Sequence, residues 1–311
     1  MYFPFKLRPD TDIDVIGFGT NAVDFLIEVP EYPAYNSKVE LTDHTRAAGG
    51  EVATTMAGLS RLGLQTSYVG RFGDDDAGEI GRRSLIEDGV DLNYAETVPG
   101  AGTQIAFIII DERTGERTVI WKRDAALAYS AIDAPIDALK NAKVLHFTPH
   151  DVEACIAMAA EARRLGVIVS ADIDNVFPGS EQLFPLIDIF ISSADVPAKL
   201  FGDVPLRESL QRIGDRYGCA VAGVTLGDAG SLLLCGDEFI ESEGYPVPGG
   251  CRDTTGAGDS FRVGLLYGLL TGATVEESAR YANAVAALKC RAVGARTALP
   301  TASELQEFLK G

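Results

Sequence analysis

The 311-residue sequence has few of the residues that build metal centres or disulfide frameworks. Its five cysteines are widely spread and include no C-x-x-C pair, and it has only three histidines. Neither a zinc site nor a set of disulfide bonds is therefore predicted. No apolar run reaches membrane-spanning length, and the first residues lack the charged-then-apolar order of a signal peptide. We therefore expect a cytoplasmic protein that makes no membrane contact.

Basic residues are also scarce. The chain has 27 Lys and Arg against 45 Asp and Glu, which gives a formal net charge of −18. Nucleic-acid binding needs an excess of Lys and Arg on one face, so no nucleic-acid partner is expected. The remaining composition, with 46% hydrophobic and 23% charged residues, is typical of a globular protein long enough to bury a large core.

The most informative stretch is Asp-Thr-Thr-Gly-Ala-Gly-Asp-Ser-Phe at 253–261, which precedes an apolar-periodic run at 263–270. The periodicity predicts a helix, and the glycines before it allow the backbone to expose N–H groups. The first N–H groups of a helix have no partner inside it, and the helix dipole adds positive charge there. The stretch therefore predicts an anion site formed by Gly256, Ala257 and Gly258.

Asp259 is unusual beside such a site, because a carboxylate repels a bound polyphosphate unless it has a chemical role. Accepting the proton of an attacking hydroxyl group is one such role. Capping the helix is the alternative, since Asp is common at helix starts. The residues alone leave both interpretations open.

The stretch at 253–261 resembles, almost residue for residue, the C-terminal signature of the ribokinase family, the PfkB-type carbohydrate kinases. The resemblance implies that Asp259 is the catalytic base and that Gly256, Ala257 and Gly258 form its anion hole. It also implies a monovalent cation, typically potassium, held by Asp253, Thr255 and Gly294.

The same resemblance implies an α/β fold. We expect a ribokinase-like parallel-sheet sandwich with helices on both faces and a small β-sheet lid, formed as a single domain over 1–311. The lid strands are expected within 24–46, where the weak alternation of 37–46 predicts an edge strand, and within 103–123, where two β-rich runs flank Gly115 as a hairpin. In the family such a lid is often the dimer surface, so a homodimer through the lid is expected.

The N-terminal region contains Gly17-x-Gly19-x-x-Ala22, which fits a dinucleotide-binding fingerprint. That fingerprint requires a helix directly after the turn. The residues that follow, at 25–33, are strand formers interrupted by two prolines, so we predict a strand and no nicotinamide site. Asp24 matches the family residue that binds sugar hydroxyls, with a turn aspartate as the alternative.

A second signature follows at 47–63, where two glycines open a predicted helix. Gly49 and Gly50 agree with the family, whereas Thr54 stands where Asn is usual and Glu51 where Asn or Lys is common. A carboxylate at 51 would repel a phosphate and accept hydrogen bonds from neutral hydroxyls. An unphosphorylated substrate is therefore predicted, bound by Asp24, Gly49, Gly50, Glu51 and Thr54.

From residue 143 onward, predicted strands alternate with predicted helices, among them 152–165 and 206–217. This order indicates a parallel sheet with ligands beyond the carboxyl ends of its strands. Asp172 and Asp174 lie at such an end, where magnesium-water contacts are possible. The family's Asn-x-x-Glu motif is replaced by Ser192-x-x-Asp195, whose Asp195 could still organise a hydrated magnesium ion. His146 and His150 are expected to be structural.

The resemblance further implies an adenine-nucleotide site, formed by Thr225, Gly227, Gly230 and Asn283. We therefore predict an ATP- and Mg²⁺-dependent kinase that phosphorylates an unphosphorylated sugar, with potassium as the monovalent cation that the resemblance implies. A ketohexose such as fructose is favoured because 72–76 and 286–290 look similar to the ketohexokinase and fructokinase branch. One alternative is a nucleoside kinase with Trp121 or Tyr35 against the base, and another is a catalytically silent sugar-binding homologue.

Overall fold

The computed structural model describes residues 1–9 and 11–310. Strands and helices alternate over residues 142–225, in the region where the periodicity predicts it. The strands are β1 (Ile13–Phe18), β2 (Ala22–Val29), β3 (Asp43–Gly49), β4 (Thr66–Val69), β5 (Arg71–Gly73), β6 (Glu96–Val98), β7 (Ile105–Asp111), β8 (Arg117–Lys122), β9 (Ala142–Phe147), β10 (Ile168–Ile173), β11 (Ile189–Ser193), β12 (Val221–Thr225), β13 (Ser231–Cys235) and β14 (Glu238–Ser242). The α-helices are α1 (Glu51–Arg61), α2 (Asp76–Glu87), α3 (Val152–Leu165), α4 (Ser180–Leu183), α5 (Val196–Phe201), α6 (Leu206–Tyr217), α7 (Ala257–Thr271), α8 (Val275–Lys289) and α9 (Ala302–Phe308).

Eight strands form the central sheet in the order β14-β13-β12-β11-β10-β9-β1-β4. The six from β12 to β4 are parallel, as predicted, whereas β13 pairs antiparallel with both β12 and the edge strand β14. The direction reverses at Gly230, where φ is +97° and a Cβ atom would lie 2.1 Å from the carbonyl oxygen of Ser242. Because this turn is too short to contain a crossover helix, β13 runs antiparallel beside β12.

Two hydrophobic layers enclose the sheet. One contains α1, α7 and α8, and the other contains α3 and α6. Helices α7 and α8 approach closely because α7 carries glycine where they meet: a Cβ atom on Gly264 would lie 2.4 Å from the backbone of Ala282. This close packing fixes the start of α7 against the end of α8, which matters for the site described below.

A separate four-stranded sheet, in the order β3-β2-β7-β8, covers the carboxyl-end edge of the central sheet. We call it the lid. It uses the predicted segments, but the edge strand expected from residue 37 begins only at Asp43. The prediction was wrong for 37–42, because the weak alternation of that stretch is not matched by pairing to a neighbouring strand.

The lid strands alternate strictly between two faces. The neighbouring residues Asp24, Ala106 and Trp121, in register across β2, β7 and β8, face the cavity under the lid. Phe25 and Phe107 lie on the opposite face, where their rings stack with centroids 4.9 Å apart. Within the described part of the chain, no helix has the length and apolar character required to span a membrane.

Candidate active site

A cavity of about 830 Å³ lies between the lid and the carboxyl ends of the central strands. This volume is within the range of pockets that bury small ligands. Most of the sequence-predicted site residues line this cavity, and they come from both the N-terminal and the C-terminal part of the sequence. These residues are Asp24, Gly50, Glu51, Thr225, Gly227, Thr255, Gly256, Ala257, Gly258, Asp259 and Asn283.

The other predicted residues do not line the cavity. They are Gly49, Thr54, Asp195, Gly230, Asp253 and Gly294. Gly49 is needed for packing: a Cβ atom there would lie 2.0 Å from Oδ2 of Asp24. Thr54 is fully buried in α1, and its Oγ1 accepts a hydrogen bond from Nε of Arg296. Gly49 and Thr54 therefore support the cavity wall from behind.

The start of α7 forms the floor of the cavity. Gly256 precedes the helix with φ of +77°, a conformation that favours glycine, and a Cβ atom there would lie 2.9 Å from Cβ of Ala295. The amide of Ala257 donates to the carbonyl of Thr254 at 3.1 Å, which closes the loop. The loop therefore presents the N-terminal end of a 15-residue helix to the cavity, as an anion site requires.

Asp259 lies in the first turn of α7 and faces the same cavity. Burial, followed by the neighbouring carboxylate of Asp172, raises the pKa of Asp259 to about 8. No side-chain cap bonds the first turn of α7. The capping interpretation therefore has no support in the geometry, whereas a raised pKa suits a proton acceptor that works near neutral pH.

Arg262, to which the sequence assigned no role, lies one turn after Asp259. Its Nη2 forms an ion pair with Oδ1 of Asp172 at 2.5 Å, and its Nη1 donates to the carbonyl of Gly258 at 3.0 Å. Both side chains are almost completely buried. The arginine therefore joins the end of β10 to the start of α7, and its positive charge partly offsets the carboxylates around Asp259.

Asp24 and Glu51 occupy the acceptor end of the cavity, under the lid. Burial raises the pKa of Asp24 to about 6 and holds the pKa of Glu51 well above its usual range. Oε2 of Glu51 is buried and has no hydrogen-bond partner among the described residues. A buried acceptor atom without a partner costs free energy, which a bound hydroxyl group would recover.

Arg296 supports this end from outside the cavity. Its guanidinium donates to the carbonyl of Gly49 and, at 3.3 Å, to Oγ of Ser84. The positive charge lowers the pKa of Asp24 against the larger effect of burial. Nothing in the local sequence indicated this role, because Arg296 and Gly49 are 247 residues apart.

Aromatic side chains line the lid side of the cavity. Trp121 meets His150 edge-on with ring centroids 6.0 Å apart, and His150 meets Phe177 at 5.3 Å. His150 was expected to be purely structural, yet it faces the cavity and lies 3.6 Å from Glu51. Its position just after β9, and that of Phe177 after β10, at the carboxyl ends of parallel strands, was the available signal.

Asn283 of α8 lines the nucleotide end of the cavity. Its Nδ2 donates to Oγ of Ser231 at 3.2 Å and to Oγ and the carbonyl of Ser242 at 3.0 and 3.1 Å. The side chain therefore ties α8 to the hairpin of β13 and β14. Thr225 ends β12 and Gly227 follows it on the same side, where exposed backbone is open to a flat ring.

The carboxylates around the cavity fit a magnesium ion only if water molecules and the phosphates of a bound nucleotide supply most of its ligands. Among the described residues there is no group of three His, Cys, Asp or Glu side chains that could hold a metal ion alone. Magnesium keeps several waters and usually binds one or two carboxylates plus substrate phosphates. Asp174, just after β10, lines the cavity. Asp195 lies away from it and bonds Ser193 and Lys199.

The residues expected to hold a monovalent cation do not fit one. Thr255 and Gly294 donate backbone N–H groups to the two carboxylate oxygens of Asp253, each at 2.8 Å. Nζ of Lys289 donates to the carbonyl of Asp253 at 2.6 Å and lies 3.8 Å from Oδ2. A positive charge is therefore already present where the cation was expected.

Comparisons with known proteins agree with this geometry. A family model described as "pfkB family carbohydrate kinase" matches residues 11–302. A nucleoside kinase of Methanothermobacter thermautotrophicus is 28% identical over 94% of each chain, and fructokinase-2 of Solanum habrochaites is 28% identical over 96% of each chain. The structure of Arabidopsis thaliana ribokinase complexed with ribose and ATP superposes with a TM-score of 0.83 at 24% identity, covering 96% of this chain and 99% of the other.

Proposed function

The chain belongs to the pfkB family of carbohydrate kinases, whose members are ATP-dependent phosphotransferases. On that premise we propose that it moves the γ-phosphate of ATP to a hydroxyl group of an unphosphorylated acceptor, with Asp259 as the general base. One observation carries the proposal: Asp259 and the helix start at Gly256–Gly258 face one cavity that can hold both reactants. A catalytically silent homologue would have no reason to keep this costly buried carboxylate.

The mechanism assigns one task to each part of the site. The carboxylate of Asp259 accepts the proton of the acceptor hydroxyl as its oxygen attacks the γ-phosphorus in line. The start of α7 stabilises the negative charge on the transferred group. Asp24 and Glu51 accept hydrogen bonds from other hydroxyl groups and so orient the acceptor. Thr225, Gly227 and Asn283 line the side that receives the adenine ring.

Magnesium is expected to accompany ATP in this family, and when bound it would neutralise part of the phosphate charge. We propose Asp174 as the carboxylate that contacts it through water. Asp172 is less suited because Arg262 already pairs with it. This assignment replaces Asp195, whose carboxylate is bonded to Lys199.

The placement of the cavity's arginines favours an unphosphorylated acceptor. Asp24, Glu51 and Asp259 all face the space under the lid. The arginines that line the cavity are Arg117 and Arg262, and Arg262 is already paired. Nη1 of Arg117 donates to Oγ1 of Thr254, beside the anion site rather than the acceptor end. A second phosphate on the acceptor would therefore face carboxyl groups, and no free arginine or lysine among the described residues that line this end would neutralise its charge.

We propose a nucleoside as the acceptor, with its ribose at Asp24 and Glu51 and its base against Trp121, His150 and Phe177. The aromatic side chains favour this choice, because flat heterocycles gain from packing against such rings. Burial lowers the pKa of His150, so the imidazole is neutral at pH 7 and can both donate and accept a hydrogen bond. Fructose is the second candidate, because the two carboxylates suit any polyol.

A panel of acceptors tests this choice. With Mg·ATP, ADP release is expected to be faster with at least one of adenosine, guanosine, cytidine and uridine than with fructose or ribose. Trp121→Ala is expected to raise KM for that nucleoside roughly tenfold, since loss of one aromatic partner removes about 1–2 kcal/mol of binding free energy. The value of kcat should change little, because the base does not react.

The matched control is Tyr35→Ala. Tyr35 was the other aromatic candidate, but it is 102% exposed and does not line the cavity, so its removal should leave KM unchanged. Faster turnover of fructose than of every nucleoside would favour the second candidate. Absence of ADP release with any acceptor would contradict the proposed function itself.

We also propose that the outer face of the lid binds a second copy of the chain. Phe25, Phe107 and Ile120 are in register across β2, β7 and β8 and form an apolar stripe. Phe107 is 43% and Ile120 57% exposed in the isolated chain. Light scattering after gel filtration should give twice the chain mass, and Ile120→Asp should give the single mass. Ile132→Asp, at an exposed site elsewhere, should stay dimeric, and a monomeric wild type would refute the interface.

A further inference from the structure

Lys289 is a fully buried lysine at the last residue of α8. Buried lysines are rare unless they are paired, because removing an ammonium group from water is costly. The side chain of Lys289 reaches the loop before α7, where its Nζ donates to the carbonyl of Asp253 at 2.6 Å. Burial lowers the pKa of Lys289, and the carboxylate of Asp253 opposes that effect.

The local charges are already balanced. Asp253 is fully buried, and its two carboxylate oxygens accept the amides of Thr255 and Gly294. The positive charge of Lys289, 3.8 Å from Oδ2, offsets the negative charge of Asp253. A potassium ion bound to the same carbonyl oxygen would contact the ammonium group and leave a net positive charge without solvent.

We propose that the ammonium group of Lys289 is a built-in replacement for the monovalent cation, and that this protein therefore works without potassium. The lysine joins the end of α8 to the loop that leads into Gly256, so it holds the anion site in place from behind. It does not touch either reactant and is a positioning residue. The inference rests on the proposed function only for its activity readout.

The test compares potassium with choline at constant ionic strength. In the wild type, kcat and the thermal unfolding temperature should be equal in KCl and choline chloride. Lys289→Ala removes the ammonium group and opens space beside Asp253. In choline chloride this variant should lose about tenfold or more of kcat, and adding KCl should restore much of the loss along a saturable curve. The unfolding temperature should rise along the same curve, because an ion that binds only the folded state stabilises it.

Two further variants sharpen the result. Lys289→Met keeps the long side chain without its charge, so it should be impaired and should not respond to KCl. Lys199→Ala makes the same substitution at an exposed lysine, 43% accessible, and should behave as the wild type in both salts. The thermal measurement needs no acceptor, so it decides the matter even if the acceptor panel fails.

A saturable increase of the wild-type rate or unfolding temperature with KCl would overturn the proposal. A folded Lys289→Ala protein that ignores KCl in both measurements would overturn it as well. If Lys289→Ala does not fold in either salt, the wild-type comparison alone decides: equal behaviour in the two salts supports the lysine, and a potassium response refutes it.

Discussion

Asp259→Asn is expected to lower kcat roughly 10²–10⁴-fold, the range that a positioned general base contributes. The amide keeps the shape of the side chain but cannot take the proton of the acceptor hydroxyl. Binding of ATP should remain within about twofold of the wild type, because the helix start and the residues at the adenine side are unchanged. The measurements are steady-state ADP release and equilibrium nucleotide binding.

The same substitution should leave the fold intact and make it more stable at higher pH. The pKa of Asp259 is raised from 3.8 to about 8 in the folded protein, so the ionised carboxylate disfavours folding. The penalty is absent below about pH 4, grows as the pH rises towards 8 and is complete above it. The unfolding temperature of the variant should therefore exceed that of the wild type by an amount that increases across this window.

Asp228→Asn is the matched control. It removes one carboxylate from the same cavity, but Asp228 is exposed in the loop after β12, beside Gly227. Its kcat should remain within about threefold of the wild type. Substantial activity in the Asp259 variant, or an equal loss in the control, would remove Asp259 from the role of base.

The sequence was sufficient for those features that are encoded locally. The helix start at Gly256–Gly258, the paired glycines at 49 and 50 and the hairpin around Gly115 each lie within one short segment. Apolar periodicity gave α3 and α6 with their observed bounds, Val152–Leu165 and Leu206–Tyr217. Such patterns carry their own structural signal, because a helix or a turn is specified by neighbouring residues.

What sequence reasoning missed consists of contacts between distant segments. Lys289 reaches Asp253 across 36 residues, and Arg262 reaches the backbone of Ile191 across 71. An isolated arginine or lysine in an apolar helix gives no sign of its partner. The resemblance named Asp253 as a cation ligand but could not show that the chain supplies its own cation. Only the packing of α8 against α7 makes that visible.

The pH dependence of the reaction provides a test that needs no substitution. The base must be ionised to act, and the pKa of Asp259 is raised to about 8, chiefly by burial. The value of kcat/KM for the acceptor should therefore rise about tenfold per pH unit below the apparent pKa and level off above it. Between pH 6 and pH 8 the expected gain is roughly 50-fold. ADP should be quantified after quenching, which avoids pH effects on coupling enzymes.

The apparent pKa at which kcat/KM levels off should depend on Asp172. After burial, the carboxylate of Asp172 is the next largest cause of the raised pKa of Asp259. Asp172→Asn removes this repulsion and frees the charge of Arg262, and both changes lower the pKa of Asp259. In this variant the apparent pKa of kcat/KM should fall by about one unit. If the apparent pKa of kcat/KM is the same in Asp172→Asn as in the wild type, Asp259 does not control the reaction, because only a base surrounded by these charges responds to their removal. A wild-type kcat/KM that does not change with pH would lead to the same conclusion.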